Sequence, residues 1–356
     1  MTFEEARSAF PVLEHVAYLN AGTFGPLARP VVEAVEREVR RDLEQGRVGT
    51  AWFEYALEAR DRLRARVAAL VGAEPEQVAL TASTTDGCNI VLAGLGLGPE
   101  DEVVTTDSEH FGLLGPLHAS GARIVVTAPE PDAILAAVGT RTRLLAISQV
   151  LWTTGAVLPV RELRERSGLP VLVDGAQSVG AISVEAGGLD FLTISGQKWL
   201  CGPDATGALI VADPERLRIA RPSFLSKLSS ERDGSFVPRP GAARFEPNWM
   251  PVGAVAGLEA AIDLAPDWRY ERAAAVAARC RDLLAPHVEV MPGDATLVSF
   301  RPPGGEDAEA TSKRLERARV VVRDVPGTGL VRASCGWWTS EGDLERLVDA
   351  LISVSS

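Results

Sequence analysis

Two ionisable side chains stand where a buried strand is expected to end. Asp174 closes the apolar run "VLVD", and Lys198 follows the run "LDFLTIS", 198 − 174 = 24 positions later. Taken singly, the aspartate fits a helix cap or a buried salt bridge, and the lysine fits an exposed amine with a buried stem. As a pair they match the chemistry of pyridoxal phosphate (PLP), in which a lysine forms a Schiff base with the cofactor aldehyde and an aspartate keeps the ring nitrogen protonated.

The phosphate of such a cofactor needs hydrogen-bond donors nearby. The segment "TASTTDG" places Ser83, Thr84 and Thr85 between an expected strand and the start of a helix, where N–H groups and hydroxyls can bind phosphate. Ordinary capping of the helix is the alternative, and the two roles are compatible. Ser195, three residues before Lys198, offers a further hydroxyl.

Three larger side chains are candidates for contacting the cofactor ring or the substrate. His110, in "DSEHFGLLG", follows an expected strand and is a candidate for the ring above the cofactor, with a structural histidine as the alternative. Trp152, in "SQVLWTTG", can line the pocket or be an ordinary core tryptophan. Arg332, in "GLVRASCG", can bind a substrate carboxylate through both oxygens or pair with a surface acid.

These residues need a sheet that brings strand ends together. Segments rich in Val, Ile and Leu alternate with helical segments over residues 76–212, which predicts a mostly parallel α/β sheet covered on both faces. Ligands bind at the carboxyl ends of the strands in such sheets. Residues 222–249 are predicted to form a long irregular excursion or hairpin, and a second alternation after about residue 265 predicts a smaller α/β lobe.

Composition excludes several classes of function. The chain has 356 residues and a formal net charge of −12, which favours one large and one smaller domain and disfavours a nucleic-acid partner. The first residues do not resemble a signal peptide, and no apolar run suggests a membrane span. The four cysteines lie far apart without a CxxC pair, so we expect neither a metal site nor a disulfide scaffold, and a cytoplasmic protein.

The motifs together resemble the class V aminotransferase family of PLP enzymes, which includes the cysteine desulfurases. The resemblance covers nearly the whole chain through "YLNAGTFGPL", "TASTTDG", "SEHFG", "SQVLWTTGAVLPV", "VLVDGAQSVG", "SGQKWLCGPDATGAL" and "LVRASCGWWTSEGDLERLV". It implies an α/β, type I PLP-dependent transferase fold and a homodimer. The large PLP-binding domain is expected at residues 21–262, and the small domain at residues 1–20 and 263–356.

The resemblance also implies roles for individual residues. Lys198 would be the Schiff-base lysine, Asp174 the partner of the ring nitrogen, and His110 the ring that stacks on the cofactor. The further implied contacts are Gln177 to the ring oxygen, Thr84, Thr85 and Ser195 to the phosphate, Arg332 to the substrate carboxylate, and Asn20 near the entrance. Residues 222–249, Trp152 and Trp337 are expected to shape the substrate pocket.

Within the family, the motifs look most like the cystine C–S lyases and the isopenicillin N epimerase-like members. Gln197 occupies the place of a histidine that touches phosphate in many members, so it is a candidate cofactor contact. Trp152 occupies the place of an asparagine that desulfurases have on the ring oxygen. The segment "NWMP" follows "RFEP", where a Gly-Thr or similar pair that reaches the partner's phosphate was expected.

The distribution of cysteines favours one reaction of the family. Desulfurases carry a mobile cysteine on a loop upstream of the carboxylate-binding arginine, and no cysteine lies between Cys280 and Arg332. We therefore predict a C–S β-lyase that acts on cystine, a cysteine conjugate or a cysteine sulfoxide, with Lys198 as the general base. A histidine-derived cysteine sulfoxide is one specific form of this substrate. An aminotransferase or an epimerase is the alternative, because the same residues serve all three reactions.

Two other classes of function are less well supported by the sequence. A catalytically idle binding protein is disfavoured because Lys198 is present. A nicotinamide-binding enzyme is disfavoured because "GLGLG" at 94–98 ends a predicted helix and lacks the dinucleotide fingerprint.

Overall fold

The computed structural model describes residues 1–247 and 249–353, so Asn248 of the "NWMP" segment and the last three residues of the predicted small domain lie outside the described residues. The helices are α1 (Phe3–Ser8), α2 (Arg29–Gln45), α3 (Gly49–Val71), α4 (Thr84–Leu95), α5 (Phe111–Ala119), α6 (Pro131–Ala136), α7 (Val160–Ser167), α8 (Val252–Leu264), α9 (Arg269–Leu284), α10 (Ala308–Arg317) and α11 (Glu341–Ile352). The strands are β1 (Ala17–Tyr18), β2 (Val78–Thr81), β3 (Glu102–Thr106), β4 (Arg123–Thr127), β5 (Thr142–Ser148), β6 (Val171–Asp174), β7 (Phe191–Ser195), β8 (Gly207–Val211), β9 (Lys227–Ser230), β10 (Phe236–Pro238), β11 (Leu297–Phe300), β12 (Val320–Val321), β13 (Arg323–Val325) and β14 (Leu330–Ser334).

A seven-stranded sheet with the order β2-β8-β7-β6-β5-β3-β4 forms the centre of the molecule. The pairs from β7 to β4 are parallel, and β8 is antiparallel to both of its neighbours. The predicted mostly parallel α/β architecture is therefore confirmed. Since β5, β6 and β7 are adjacent and parallel, their carboxyl ends meet at one edge of the sheet.

Helices cover both faces of this sheet, which explains the apolar character of its strands. On one face, Ile147 and Ile194 pack in the same cluster as Leu63 of α3 and Leu258 of α8. On the other face, Leu172 packs in the cluster that includes residues of α4 and α5. Successive residues of a strand point to opposite faces, so a strand that is covered on both sides needs apolar residues at consecutive positions.

A smaller lobe contains the second half of the predicted alternation. The antiparallel sheet β11-β14-β13 lies against α9 and α11, and its core includes Phe300, Val331 and Leu347. The short strand β1 near the N-terminus pairs in parallel with β12, so the beginning of the chain joins this lobe. The exact division at residues 20/21 and 262/263 stays a prediction.

Two parts of the fold differ from what the sequence patterns indicate. The long helix α3 was not predicted, because its buried side includes Arg60 and Arg64, which interrupt the apolar pattern. Both arginines are bound by the buried carboxylate of Glu246. The segment "VVVRD" was predicted as one strand, but the chain passes from β12, paired with β1, to β13, paired with β14.

Residues 222–249 were predicted to form an irregular excursion or a hairpin. They contain the short antiparallel hairpin β9–β10. Among residues 1–247 and 249–353, no helix combines the length and the apolar character that crossing a membrane requires.

Candidate active site

A cavity of about 200 Å³ lies at the carboxyl ends of β5, β6 and β7. Its wall consists of Ser83, Thr84, Thr85, His110, Ser148, Trp152, Asp174, Ala176, Gln177, Ser195, Gln197 and Lys198. The structure thus brings together every residue predicted to contact the cofactor, and Trp152 with them. The individual roles of these residues stay predictions.

Lys198 lies in the tight turn that follows β7. The loop around Gly25 crosses this turn, with the Gly25 N–H donating to the Gln197 carbonyl at 2.8 Å. A Cβ on Gly25 would collide with the Lys198 carbonyl, so this close crossing requires glycine. Burial lowers the pKa of Lys198 to about 8; Asp174 opposes this shift, and the positive charges of Arg332 and Arg323 add to it. A substantial fraction of the amine is therefore neutral and nucleophilic near neutral pH.

Asp174 ends β6 with only 3% of its surface exposed. One carboxylate oxygen accepts the Ala176 N–H at 2.9 Å, and among the described residues no Lys, Arg or His lies within 4.0 Å of the carboxylate. A buried carboxylate without a cation needs another proton donor. A protonated pyridine nitrogen would satisfy this need.

The opposite end of the cavity offers hydroxyl groups and a helix start. Ser83 caps α4, and its Oγ accepts the Asp86 N–H at 3.1 Å. Thr84 and Thr85 form the first turn of that helix, where N–H groups attract an anion. The Ser195 hydroxyl donates to the Gln197 amide oxygen at 2.9 Å, which holds Gln197 against the same region.

His110 and Trp152 form one side of the cavity. Their rings meet edge to face, with centroids 5.0 Å apart and an interplanar angle of 83°. His110 also caps α5, where its Nδ1 accepts the Gly112 N–H at 3.0 Å. Burial lowers the pKa of His110, and the Lys198 charge lowers it further, so its imidazole is neutral. The buried Trp152 Nε1–H has no acceptor among the described residues, which leaves one donor for a bound molecule.

Arg332 lies behind this wall on β14 and is 1% exposed. Its Nη1 donates to the Trp152 carbonyl at 2.7 Å, and its buried Nε has no partner within residues 1–247 and 249–353. Arg323 stands directly opposite on β13 and donates to the Thr23 hydroxyl at 3.2 Å. Burial, with a smaller effect of Arg323, lowers the pKa of Arg332 to about 10. Like charges opposite each other destabilise a sheet, so this pair favours an anion nearby.

Other predicted residues hold the loop that precedes α2. Gln177 donates from Nε2 to the Gly22 carbonyl and accepts the Trp199 Nε1–H, both at 2.9 Å. One amide hydrogen of Gln177 is left for a bound molecule. Asn20 does not line the cavity; it accepts the Thr23 hydroxyl at 2.8 Å.

The predicted pocket-shaping segments are not all found at the cavity. Trp337 packs against Phe10 and Trp268 in the core near the N-terminus, and it does not line the cavity. The wall also contains no described residue from 222–249. Local sequence patterns could not predict this aromatic cluster, because Phe10 is more than 250 residues before Trp268 and Trp337 in the sequence.

The sequence analysis missed four residues at or near the site: Glu109, Ser148, Ala176 and Arg323. Ser148 had a detectable signal, because it ends the apolar run "LLAIS" just as Asp174 ends "VLVD". Arg323 had none, since only the β13–β14 register places it beside Arg332.

The cavity fits PLP by its set of hydrogen-bonding groups. An amine, an unpaired carboxylate, a neutral imidazole and a group of hydroxyls at a helix start correspond to the aldehyde, ring nitrogen, ring face and phosphate of that cofactor. The buried Nε1–H of Trp152, which no atom of the described residues accepts, is consistent with a ligand in this space.

Comparison with known sequences gives a consistent result. The family model "Aminotransferase class-V" matches residues 17–302. Isopenicillin N epimerase from Streptomyces clavuligerus is 28% identical, over 98% of this chain and 97% of its own length. A probable cysteine desulfurase from Methanothermobacter thermautotrophicus is 30% identical, over 74% of this chain and 70% of its own length.

Solved structures agree with the sequence comparison. A variant of C-DES with glycine covalently linked to its PLP cofactor has a TM-score of 0.90 and 26% identity, covering 97% of this chain and 98% of that one. The cystine C–S lyase C-DES in complex with its reaction product cysteine persulfide has a TM-score of 0.89 and 26% identity, covering 96% and 98%.

Proposed function

We propose a C–S β-lyase activity for this chain, which belongs to the class V aminotransferase family of PLP-dependent enzymes. The proposed substrate is a cysteine-derived amino acid, such as cystine, a cysteine conjugate or a cysteine sulfoxide. The observation that carries the proposal is that an amine with a lowered pKa lies in the cavity opposite no reactive thiol, since all four cysteines are buried and none of them lines the cavity.

The residues of the chain supply the acid–base chemistry of an elimination. Bound PLP supplies an aromatic ring that stores the electron pair released from the α-carbon. Lys198 accepts the α-proton, and its pKa near 8 makes the neutral base available at physiological pH. Asp174 holds the proton on the ring nitrogen. The C–S bond then breaks with its electron pair on sulfur, which leaves as a persulfide from cystine, a thiol from a conjugate or a sulfenic acid from a sulfoxide. Hydrolysis of the enamine that remains gives pyruvate and ammonia.

Arg332 and Arg323 would hold the substrate by its negative groups. In the part of the chain that the structure describes, no acid pairs with the buried Arg332 and its Nε has no partner, so a substrate carboxylate could accept its free N–H groups. Arg323, directly opposite, offers a second cation for another anionic group. Cystine and a histidine-derived cysteine sulfoxide both carry a second carboxylate, which favours them within the proposed class.

Desulfuration by a persulfide-forming thiol is disfavoured. Cys335 follows β14 directly and is fully buried, and Cys201 is buried in the turn after Lys198. Burial raises the pKa of both thiols, with a contact to Cys280 as the largest cause for Cys335. The reactive thiolate is therefore strongly disfavoured at either position.

Epimerisation is the second candidate, because the isopenicillin N epimerase relative matches 98% of the chain. Both reactions begin with removal of the α-proton by Lys198. Amino-group transfer in this family begins with the same step. The fate of the sulfur distinguishes them, since only the lyase breaks the C–S bond.

Product analysis tests the proposal. PLP-loaded protein is incubated with L-cystine, L-cysteine and a cysteine sulfoxide, with Lys198→Ala as the inactive control. Pyruvate that depends on Lys198 is the expected result. Alanine would instead establish desulfuration, and D-amino acid without pyruvate would establish epimerisation; either result without pyruvate contradicts the lyase.

We also propose a homodimer in the cytoplasm. The free state of all four cysteines supports a reducing compartment. The family resemblance supports the dimer.

A further inference from the structure

Glu109 is a buried carboxyl group next to the cavity that none of the proposed steps uses. It lies between β3 and α5, directly before His110, and is 5% exposed. Thr106 donates its hydroxyl to the carboxylate at 2.8 Å. The Ser148 N–H reaches both carboxylate oxygens at 3.1 Å, and the Ser148 hydroxyl donates as well.

Ser148 connects this carboxyl group to the ring-nitrogen end of the cavity. It ends β5, lines the cavity, and is the register partner of Asp174 on β6. Glu109 and Asp174 are therefore two buried carboxyl groups on either side of one cavity-facing serine.

The surroundings of Glu109 contain no compensating cation among the described residues. The titratable groups that face it are Asp174 from β6 and Cys88 from α4. Burial raises the pKa of the Cys88 thiol, so it stays neutral. Burial also raises the pKa of Glu109 to about 7, the Ser148 and Thr106 hydrogen bonds oppose that shift, and the Asp174 charge adds to it.

We propose that Glu109 is a positioning residue that fixes Ser148 and adds a second negative charge beside Asp174, which strengthens the hold on the proton at the ring nitrogen. The inference rests on the proposed role of Asp174 and not on the reaction that follows. Ionised Glu109 raises the negative potential at that end of the cavity. Protonated Glu109 keeps the hydrogen bonds but removes this charge.

The bound cofactor reports this charge through its visible absorbance. We expect the ionisation of Glu109 to appear as a spectral inflection of PLP-loaded protein, at a pH below 7 because a protonated ring nitrogen favours the carboxylate, and Glu109→Gln to lose this inflection. Ser148→Ala should move the inflection upward by about one pH unit, because the carboxylate loses a hydrogen bond that favours its charged form. Glu102→Gln is the matched control, since Glu102 lies at the opposite end of β3, bonded to Arg141, and should leave the inflection unchanged.

The pH dependence of the stability of cofactor-free protein is a second measurement of the Glu109 charge. The raised pKa of Glu109 does not lower the free energy of unfolding at a pH below 4.5, the pKa in the unfolded chain. The loss in free energy grows as the pH rises from there toward about 7, the pKa in the folded chain. The melting temperature of Glu109→Gln, relative to that of the wild type, should therefore rise between pH 5 and pH 8.

The results distinguish a wrong role for Glu109 from a wrong role for Asp174. A Glu109→Gln protein with the wild-type spectral titration overturns the inference, and so does a constant difference in melting temperature. If Glu109→Gln does not bind PLP, an unmoved inflection in Ser148→Ala overturns it instead. An unchanged spectrum in Asp174→Asn would show that the assumed role of Asp174 is wrong, whatever the product analysis gives.

Discussion

At the scale of single residues, the site depends on one amine in an unusual environment. Lys198 lines the cavity, and its charged form is disfavoured by desolvation and by two guanidinium groups. Asp174 is the one nearby group that favours the charged form, so the amine is balanced close to neutral pH. This balance is what a lysine that must both attack an aldehyde and accept a proton requires.

The first prediction follows from this balance. The rate at which cofactor-free protein captures PLP should rise about tenfold between pH 7 and pH 9, since the neutral fraction of an amine with a pKa near 8 rises by that factor. Stopped-flow absorbance measures the rate. Arg323→Gln removes a charge that lowers this pKa, and its profile should move to higher pH. A rate that does not depend on pH would contradict the lowered pKa.

The second prediction separates the two arginines. Arg332→Gln should raise KM for every substrate by about 10- to 100-fold, the size of a lost hydrogen bond to a charged group. Arg323→Gln should raise KM for L-cystine but not for S-methyl-L-cysteine, which has a single carboxylate. Steady-state assays of both variants on both substrates measure this. Equal effects of Arg323→Gln on the two substrates would exclude a site for a second anionic group.

At the scale of elements, the turn between β7 and β8 carries Lys198 and is built from strained backbone. Cys201 and Ala205 both have φ of +57°, a left-handed conformation that side chains disfavour. The turn closes through hydrogen bonds from the Gly196 N–H to the Thr206 carbonyl and from the Gly202 N–H to the Gly196 carbonyl, both 2.8 Å. The rest of the fold therefore holds the lysine in place at some cost in local stability.

The third prediction tests this strain at Ala205, whose side chain is exposed. Relief of the left-handed conformation is worth about 1–2 kcal/mol, and the extra freedom of unfolded glycine costs about 0.5–1 kcal/mol. Ala205→Gly should therefore raise the free energy of unfolding by about 0.5 kcal/mol in urea titrations. Ala82→Gly, an exposed alanine without positive φ, is the control and should lower it. If Ala205→Gly lowers the free energy of unfolding as much as Ala82→Gly does, the backbone at Ala205 is not strained.

The elements also show what could be predicted from the sequence. Asp174, Lys198 and His110 each follow an apolar strand, so the parallel sheet and its carboxyl edge could be inferred from local pattern alone. Arg323 could not, because its position beside Arg332 depends on the β13–β14 register. Helix α3 was hidden because the partner of its buried arginines, Glu246, lies about 180 residues further along the chain.

At the scale of the whole molecule, several large apolar side chains remain exposed on the single chain. Leu43 on α2 is 82% exposed, Phe111 beside His110 is 78% exposed, and Phe224 in the excursion is 62% exposed. Exposed apolar side chains indicate an interface where they form one contiguous patch, so burial of these three in a dimer is part of the proposal. This is consistent with the proposed homodimer.

The fourth prediction concerns the size of the particle in solution. Light scattering coupled to size-exclusion chromatography should give twice the chain mass of 37.8 kDa if the proposed homodimer forms. The mass should stay at that value on dilution to micromolar concentration. A monomer mass with full PLP occupancy would exclude the proposed dimer and show that one chain suffices to hold the cofactor.

The most direct test of the account is the location of the cofactor on the chain. The sequence contains three lysines, Lys198, Lys227 and Lys313, and Lys198 is the one that lines the cavity. Borohydride reduction of PLP-loaded protein, followed by proteolysis and mass spectrometry, identifies the modified lysine. The account predicts the pyridoxyl group on the peptide that contains Lys198, and on neither of the other two. Modification of Lys227 or Lys313 with Lys198 free would contradict it.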